Sequence, residues 1–546
     1  MAQYKTPGVY VVEENAFPNA VVEVPTAVPA FIGYTETAHD GTESRQYVPT
    51  QIGSLADYAK IFGGPSKAAF TLAQSVDKTQ YIVAQDPASR FFLGYAVYLY
   101  FANGGGSAYV ISIGSYADAI LNGKSAADFM PAPNPVNPAI VSPFDALKTV
   151  PDVTLLVAPD TVLLDRAPSC YGFWTAALAH CGTMQSRMAL IDIFNGDQSR
   201  THASDTDVIS GANTGFRNLI GTDFLNYGAA YYPWLNCDVV DSGKVTYANL
   251  NSDSLAVLRQ ALNDELATLN PPPGAPQLTK IRELYAALSL QVNDASGKPL
   301  TDSDGNPLPD DKGDADDTQT NAINAAAAVT RIHNQLSSVS LVYQRICADM
   351  LKRANVLPPC GAIAGVYARV DSNQGVFAAP ANTDINLAVT PAVEISAEDQ
   401  EDLNVPQDGR AVNAIRTIPN RGLVIWGART LDGNSDDWRY INVRRTVIML
   451  EQSIKLALMA YVFAPNESTT WVAVENMISN FLLNQWRAGA LIGSKPQDAY
   501  SVSVGLGTTM TAQDILDGYM RVSIKVAISH PAEFMELTFE QQMQTS

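Results

Sequence analysis

An apolar stripe with helical spacing near the C-terminus constrains this chain more than any other feature of its sequence. Beyond Trp438 large apolar residues recur in steps of three and four until Pro465 ends the pattern; they are Val443, Val447, Leu450, Ile454, Leu458 and Tyr461. This spacing places them on one face of an α-helix. The sequence therefore predicts a long amphipathic helix that buries one face against another element.

A second segment repeats the pattern a few residues later. Gly489 can end this helix, whose apolar positions are Trp471, Val474, Ile478, Leu482 and Trp486. Residues 423–426 form a short β-rich run between two glycines and precede both helices. We expect a C-terminal core domain, residues 346–530, built from two helices and a sheet.

The C-terminal end of the chain has the alternating pattern of strands. Val522, Ile524, Val526 and Ile528 alternate with small or charged residues, which indicates a half-buried strand, and Pro531 ends it. Residues 533–540 alternate again, with Met535, Leu537 and Phe539 on one side, next to Phe534. We interpret residues 531–546 as a strand arm that needs a partner.

The N-terminal residues also have the character of an extended arm. A strand-like run, Val9, Tyr10, Val11 and Val12, is followed by Pro18, Pro25 and Pro29. Prolines lack the backbone N–H that a ladder needs, so residues 1–30 do not readily fold into a hairpin. Composition alone favours a different interpretation, in which these N-terminal residues form an edge strand of the chain's own first domain.

Residues 31–240 predict an α/β body. Ser54 can cap a short helix that ends at Gly63, and Gly104, Gly105 and Gly106 form a turn before a strand. Residues 153–158, 170–185 and 187–193 form a strand, a helix and a strand, which implies a parallel sheet. The fold class is thus α/β, or mixed α+β, with several domains.

Residues 241–345 predict an outward insertion. Helical patterns occur at residues 254–262, 278–292 and about 320–352, the last taken as one helix. Between the last two, residues 295–317 contain many Asp residues and almost no apolar residue, which is typical of an exposed loop. The Asp-rich segment lacks the glycine and glutamate positions of an EF-hand.

Composition narrows the possible functions. The 546 residues carry a net charge of −20, which argues against a generic nucleic-acid or anionic-membrane surface. The five cysteines have no CxxC spacing, so we expect reduced thiols. The chain shows neither a secretory leader nor an apolar run of about 18 residues, so we expect cytoplasmic synthesis and no membrane insertion.

No catalytic or metal-binding motif emerges from the sequence. The five histidines lie outside any zinc spacing, and there is no P-loop or GxSxG motif. Asp160 and Asp192 lie at predicted strand ends, where α/β enzymes place catalytic groups, yet a capping role is the stronger interpretation. We therefore expect no enzymatic activity and no cofactor.

A cluster of cations accompanies the long C-terminal helix. Arg439, Arg444, Arg445 and Lys455 lie off its apolar stripe in an otherwise acidic chain. They can face a partner, or they can belong to an ordinary solvated helix face in which Glu451 pairs with Lys455. The sequence leaves these two interpretations about even.

Several long segments resemble the contractile tail sheath proteins of phages and phage-tail-like injection systems. The C-terminal region from Asn413 to Gly422, then Trp426 to Thr430, then Trp438 to Arg445, is similar to that family. Three further segments, which begin at Tyr4, Tyr227 and Pro358, also resemble segments of that family and occur in the same order along the chain. Several segments in one order are far more specific than one short motif.

The resemblance implies a structural role in a contracting sleeve. It implies self-association into six-membered rings stacked helically around an inner tube protein, with baseplate and terminal cap proteins as further partners. It also implies that the terminal arms link subunits by strand addition. It further implies that a helix of the C-terminal domain contacts the tube. This last point favours the interpretation in which Arg439, Arg444, Arg445 and Lys455 face a partner. The alternatives are an α/β enzyme, an NTPase or hydrolase, and a tail-associated envelope-binding module.

Overall fold

A computed structural model describes residues 20–77, 80–132, 142–268, 318–534 and 536, without the side chains of residues 318–326. Several predicted features lie outside this range. They are the strand residues Val9, Tyr10, Val11 and Val12, the arm residues Met535, Leu537 and Phe539, the helix at 278–292 and the Asp-rich loop.

The strands cluster around one large sheet. In chain order they are β1 (Pro29–Thr35), β2 (His39–Asp40), β3 (Glu43–Ser44), β4 (Thr50–Ile52), β5 (Phe70–Gln74), β6 (Tyr81–Gln85), β7 (Ala108–Ser115), β8 (Leu155–Val157), β9 (Met188–Asp192), β10 (Gly228–Tyr232), β11 (Leu235–Cys237), β12 (Val356–Leu357), β13 (Ala388–Pro391), β14 (Asn413–Ile418), β15 (Gly422–Trp426), β16 (Tyr500–Val504) and β17 (Val522–Val526).

The helices surround that sheet and build two further cores. In chain order they are α1 (Leu55–Phe62), α2 (Leu93–Ala102), α3 (Tyr116–Asn122), α4 (Ala126–Phe129), α5 (Pro143–Leu147), α6 (Ala167–Met184), α7 (Phe216–Leu219), α8 (Ser252–Thr268), α9 (Thr318–Val339), α10 (Leu341–Ala354), α11 (Cys360–Gln374), α12 (Ala397–Asn404), α13 (Ile441–Leu458), α14 (Ser468–Ala488), α15 (Pro496–Ala499) and α16 (Ala512–Leu516).

Within the described residues the central sheet has eight strands in the order β15-β14-β10-β9-β8-β1-β7-β4. Its inner strands run parallel, and only the edge strands β15 and β4 are antiparallel. Every residue of β1, β8, β9 and β10 is buried, so both faces of the sheet's centre are covered. The predicted strand–helix–strand unit is confirmed, because β8 and β9 pair in parallel on either side of α6 in the chain.

The α2 and α11 helices cross very closely beside this sheet. A Cβ atom on Gly361 would lie 2.6 Å from the Cα of Ala96, and one on Gly365 would lie 2.4 Å from the carbonyl oxygen of Tyr100. Neither contact leaves room for a methyl group. The absence of side chains at these two positions therefore sets how closely α11 approaches α2.

A second core lies in the insertion. Helices α8, α9 and α10 pack with the β5–β6 hairpin around Phe70, Leu258 and Leu336. The prediction of one helix at about 320–352 is wrong, because Ser340 separates α9 from α10 and its hydroxyl accepts the N–H of Tyr343 as an N-cap. The carboxylate of Glu265 also accepts the first N–H groups of α10.

A third core belongs to the C-terminal region. It contains Leu450 of α13, Ile478 of α14 and Ile528, and the β16–β17 sheet packs against it. This core begins later than the predicted boundary at residue 346, because β14, β15 and most of α11 contribute to the core of the central sheet. The sequence alone assigns residues 423–426 to the C-terminal domain, because the residues of a short apolar strand do not indicate which sheet the strand will join.

Replacing Gly365 with alanine tests the close helix crossing. We expect the free energy of unfolding to fall by about 1–3 kcal/mol, because the added methyl group meets backbone that cannot move away alone. Gly172→Ala in α6 is the matched control, since nothing lies within 4 Å of its added Cβ. The control should stabilise by up to about 1 kcal/mol. Equal urea midpoints for the two variants would contradict the account.

Candidate assembly surface

Helix α13 is the element that brings the predicted site residues together. Its first half is buried on nearly every side, since the residues from Ile441 through Thr446 are all buried. The apolar stripe faces the C-terminal core, while Ile441 and Ile448 belong to the core of the central sheet. The helix therefore lies between two cores, with its more exposed part near its C-terminal end.

Arg445 lies in the junction between these cores. Its side chain is 3% exposed and forms a bidentate pair with Asp371 of α11, with the Nη1 of Arg445 2.8 Å from Oδ1. The guanidinium lies 4.5 Å from the ring centre of Tyr367 and donates to the carbonyl of Thr26 at 3.0 Å. Despite its burial, the charge of Asp371 raises the pKa of Arg445. One side chain thus joins α13, α11 and the N-terminal segment.

Arg444 is held in a second buried site. Its guanidinium lies between two rings, 4.1 Å from that of Tyr227 and 4.5 Å from that of Trp438, and it donates to the Tyr227 hydroxyl. The nearest carboxylate, on Glu451, is 3.9 Å away. Burial lowers the pKa of Arg444, although Tyr227 and Glu451 oppose this shift.

The expectation that Arg444 and Arg445 lie on an exposed helix face is therefore wrong. Both are only 4% exposed, because a second core covers the side of α13 that the apolar stripe leaves free. Lys455 is exposed, and Arg439 precedes the helix with a partly exposed side chain 2.9 Å from Asp436. Of the four predicted tube-contact residues, these two are accessible to another molecule.

The N-terminal segment, residues 20–28, runs across α13 and α14. The backbone N–H of Val24 donates to the hydroxyl of Ser453 at 3.0 Å, and the side chain of Gln485 donates to Glu23. Val21 and Val24 pack against the C-terminal core. Between this segment and α13 lies a pocket of about 450 Å³ lined by Val22 and Met449 among others.

The C-terminal segment is held at the other end of α13. The side-chain amide of Asn442 donates to the carbonyl of Ser529 at 3.1 Å. Glu533 accepts from Arg429 at 2.6 Å, from Asn404 at 2.7 Å and from the Tyr440 hydroxyl at 3.0 Å. Burial opposes ionisation of this carboxyl, yet the hydrogen bonds from Arg429 and Asn404 keep the pKa of Glu533 below its usual value.

Phe534 follows this anchor directly and is 74% exposed. Its ring is next to an open cleft lined by Trp426, Tyr440 and Val405. Phe534, a predicted arm residue, is therefore exposed beside the site that holds Glu533.

The β16–β17 pair presents a sheet with free edges. Val502 lies opposite Ile524, and alternate residues of both strands are half-buried against the C-terminal core. The strand predicted over residues 521–529 is confirmed from Val522 to Val526, and Ile528 lies beyond its end. Within the described ranges no third strand pairs with either one. Each outer edge carries backbone groups that another strand could bind.

Asp160 and Asp192 are used inside the fold. Asp160 accepts N–H groups of Tyr34 and Phe92, and Asp192 accepts the N–H of Cys360 at 2.9 Å, so each carboxylate caps a helix start. Burial raises their pKa values to about 6 and about 7, although these N–H donors oppose the shift. Among the described residues no group of three acidic, His or Cys side chains could hold a metal ion.

Sequence reasoning missed the partners of the buried charges. Asp371 and Glu533 are far from Arg445 and Arg429 in the chain, and nothing in their local sequence marks them as ion-pair partners. The same holds for Arg200 and Arg217, which meet Asp402 across about two hundred residues. The local sequence offered no signal for the burial of Arg444 and Arg445, because the apolar stripe predicts one buried face of α13 and both arginines lie off that stripe.

Two family models match the second half of the chain. Residues 313–431 match the phage tail sheath protein central domain, and residues 434–542 match the phage tail sheath C-terminal domain. A tail sheath protein of Salmonella phage ViI is 28% identical over 142 residues, which is 26% of this chain. The match spans 22% of that relative's length.

Solved structures resemble nearly the whole chain. The anti-feeding prophage helical sheath in its contracted state has a TM-score of 0.55 and 26% identity, covering 99% of this chain and 100% of that one. A chain of the six-fold anti-feeding prophage baseplate has a TM-score of 0.54 and 27% identity with the same coverage. The contracted PVC sheath complex shares the fold at a TM-score of 0.55 and 24% identity over 99% of each chain.

No helix in the described ranges is both long and apolar enough to cross a bilayer. The four described cysteines outside the insertion core, Cys170, Cys181, Cys237 and Cys360, are free and buried, and Cys347 is free and half-buried. The expectation of unpaired thiols is confirmed.

Replacing Arg445 with alanine tests the buried junction. We expect a loss of about 3–5 kcal/mol in the free energy of unfolding, because Asp371 is left as an unpaired buried charge. Lys455→Ala on the exposed part of the same helix is the control and should change stability by less than about 0.5 kcal/mol. Thermal or urea unfolding measures both. A small change in the free energy of unfolding on Arg445→Ala would mean that water or a rearrangement compensates the buried charge of Asp371.

Proposed function

This chain belongs to the contractile tail sheath proteins, and from that premise we propose that it polymerises around an inner tube and contracts to drive the tube through a target envelope. The resemblance found in the sequence is confirmed by two family models and by sheath structures that cover almost the whole chain. The chain is a structural component of a phage tail or phage-tail-like particle. We further propose that it has no enzymatic activity and is synthesised in the cytoplasm.

The observation that carries this proposal is a two-stranded sheet with unpaired edges in the described range, close to the segments that lead to both predicted arms. The β16–β17 sheet packs against the C-terminal core, Val21 packs against the same core, and Asn442 of α13 donates to the carbonyl of Ser529. A two-stranded sheet is marginal alone and gains stability from added strands. Arms that contain Val9 to Val12 and Phe534 to Phe539 would supply such strands from neighbouring copies.

Strand addition explains how subunits could stay linked while the sleeve contracts. Main-chain hydrogen bonds of an added strand hold two subunits together while their bodies rotate relative to each other. Energy is stored when the sleeve is assembled, so contraction requires no nucleotide. We propose six-membered rings of this chain, with baseplate and terminal cap proteins at the ends of the sleeve.

We place the insertion, residues 241–345, on the outside of the sleeve and the exposed end of α13 towards the tube. Among the described residues the insertion core and the C-terminal core share none. Tyr95 packs against both the insertion core and the core of the central sheet, and α13 has residues in both the central and the C-terminal core, so we treat the two smaller cores as separate additions to the body. Lys455 and Arg439 are the proposed cationic tube contacts. Arg444 and Arg445 support this surface from inside the subunit.

Removal of either arm tests the strand exchange. We expect variants lacking residues 1–19 or residues 537–546 to remain folded, because the buried residues of the described cores lie between Ala30 and Ile528, and to form no sleeves. Circular dichroism checks the fold and electron microscopy checks assembly. Shortening the loop at 295–317 to a Gly/Ser link is the control, since an exposed loop should be dispensable. Normal sleeves from an arm-deleted chain would refute strand exchange.

Charge reversal at the accessible cations tests the tube contact. We expect Arg439→Glu with Lys455→Glu to weaken tube binding by about twofold to fivefold per subunit, because exposed ion pairs contribute about 0–1 kcal/mol. Wild-type binding should fall between 0.1 and 1 M salt, where the screening length drops from about 10 Å to about 3 Å. Arg521→Glu, which removes an exposed pair with Asp514, is the control. Unchanged binding by the double variant across the salt range would exclude these cations.

A further inference from the structure

We propose that the turn of the β14–β15 hairpin of one copy docks into the open cleft beside Trp426 of a neighbouring copy. Residues 416–422 are called the hairpin tip, and the opening is called the Trp426 cleft. This inference rests on the proposed polymerisation of the chain and adds a contact between subunit bodies to the exchange of arms. All of its residues lie in the described ranges.

The hairpin tip is a preformed projection at the edge of the central sheet. Five residue pairs hold β14 to β15. In the turn, Asn420 adopts a left-handed conformation with φ of 62°, and the N–H of Arg421 donates to the carbonyl of Ile418 at 3.0 Å. Residues 419–422 are exposed. A tip that is already ordered loses little conformational freedom when it binds a partner.

The tip carries two arginines that form no ion pair with a described residue. Every other arginine from residue 397 through residue 445 is paired with a carboxylate. Arg421 donates to a neutral acceptor, the carbonyl of Asn382, and the buried Nε of half-buried Arg416 has no hydrogen-bond partner among the described residues. In a chain of net charge −20, these two cations form a surface that attracts carboxylates of another molecule.

The Trp426 cleft has the opposite charge at its rim. It has a volume of about 1020 Å³ and contains the apolar residues Trp426 and Val405, which are 39% and 52% exposed. Glu401 of α12 lines the cleft, and exposed Glu398 lies one turn earlier on the same helix. Asp402 of this helix is paired with two buried arginines, whereas Glu398 and Glu401 form no ion pair with a described residue. The cleft therefore fits a partner that is both apolar and cationic.

The tip has these properties, but it does not fill the cleft of its own subunit. Trp426 pairs with Ala414 at the base of the hairpin, whereas Ile418 pairs with Gly422 four residues further along, which is about 13 Å. The ladder between these pairs directs the tip away from the cleft. In a neighbouring copy, Pro419 would enter the apolar part of the cleft and the two arginines would approach the carboxylates of α12.

A contact of this kind joins copies head to tail. The tip and the cleft are different surfaces of the same chain, so each copy can use its tip on one neighbour and its cleft on another. Such heterologous contacts generate rings when they close and helical filaments when they do not. The charges of the tip and the cleft therefore support a second copy of this chain as the occupant.

Charge reversal on both surfaces tests the contact. The tip variant is Arg416→Glu with Arg421→Glu, the helix variant is Glu398→Arg with Glu401→Arg, and the swapped chain carries all four changes. We expect each double variant to form at least about tenfold fewer sleeves than wild type, because like charges then face each other, and the swapped chain to recover to within about threefold. Electron microscopy counts the sleeves. Lys60→Glu on exposed α1, beside the opposite edge of the sheet, is the control and should assemble normally.

Circular dichroism checks that every variant is folded. If Arg416→Glu unfolds the subunit, the exposed changes Arg421→Glu and Glu401→Arg, alone and combined, replace the larger set. Normal sleeves from either reversed variant, or a swapped chain that assembles no better than they do, would overturn the contact and leave the sheath function intact. The second result would assign these charges to another partner, such as the tube. Failure of the wild-type chain to form any sleeve would overturn the proposed function itself.

Discussion

The buried ion pair of Arg445 with Asp371 is the interaction on which the junction of this molecule depends. It joins the long helix of the C-terminal core to α11 of the body, and the same guanidinium holds the carbonyl of Thr26. A buried pair of this kind adds little net stability compared with an apolar contact, but separating it is costly. It therefore favours one relative arrangement of body, C-terminal core and N-terminal segment.

The central sheet gives this junction a rigid support. Its inner strands are buried on both faces, and α11, which carries Asp371, is pressed against α2 through Gly361 and Gly365. The C-terminal core differs, because its β16–β17 sheet has only two strands in the described range. A buried central sheet and a two-stranded sheet with unpaired edges in the described range are consistent with the proposed exchange of strands between subunits.

Periodicity in the sequence predicted the main elements of the C-terminal core, but it missed the break at Ser340 and did not identify the partners of the elements. The stripe of α13 from Val443 to Leu458, the Gly489 terminus of α14 and the alternation at 522–526 all follow from local physics and are confirmed, whereas Tyr461, predicted to end the stripe, lies in a 3-10 turn beyond the helix. The positions of Arg444 and Arg445 could not be predicted in this way, because a helix wheel identifies one buried face and cannot reveal a second core on the other. Asp371 and Glu533 likewise become ion-pair partners only through the tertiary fold.

An electron cryomicroscopy reconstruction of sleeves formed by the full chain would test the central claim most directly. The account predicts that residues 1–19 and 537–546 of each subunit reach neighbouring copies and add strands to their β16–β17 sheets, while Val24, Thr26 and Ser529 keep their hydrogen bonds to α13. A reconstruction in which both terminal segments pair within their own subunit, or in which subunits join without strand addition, would contradict it.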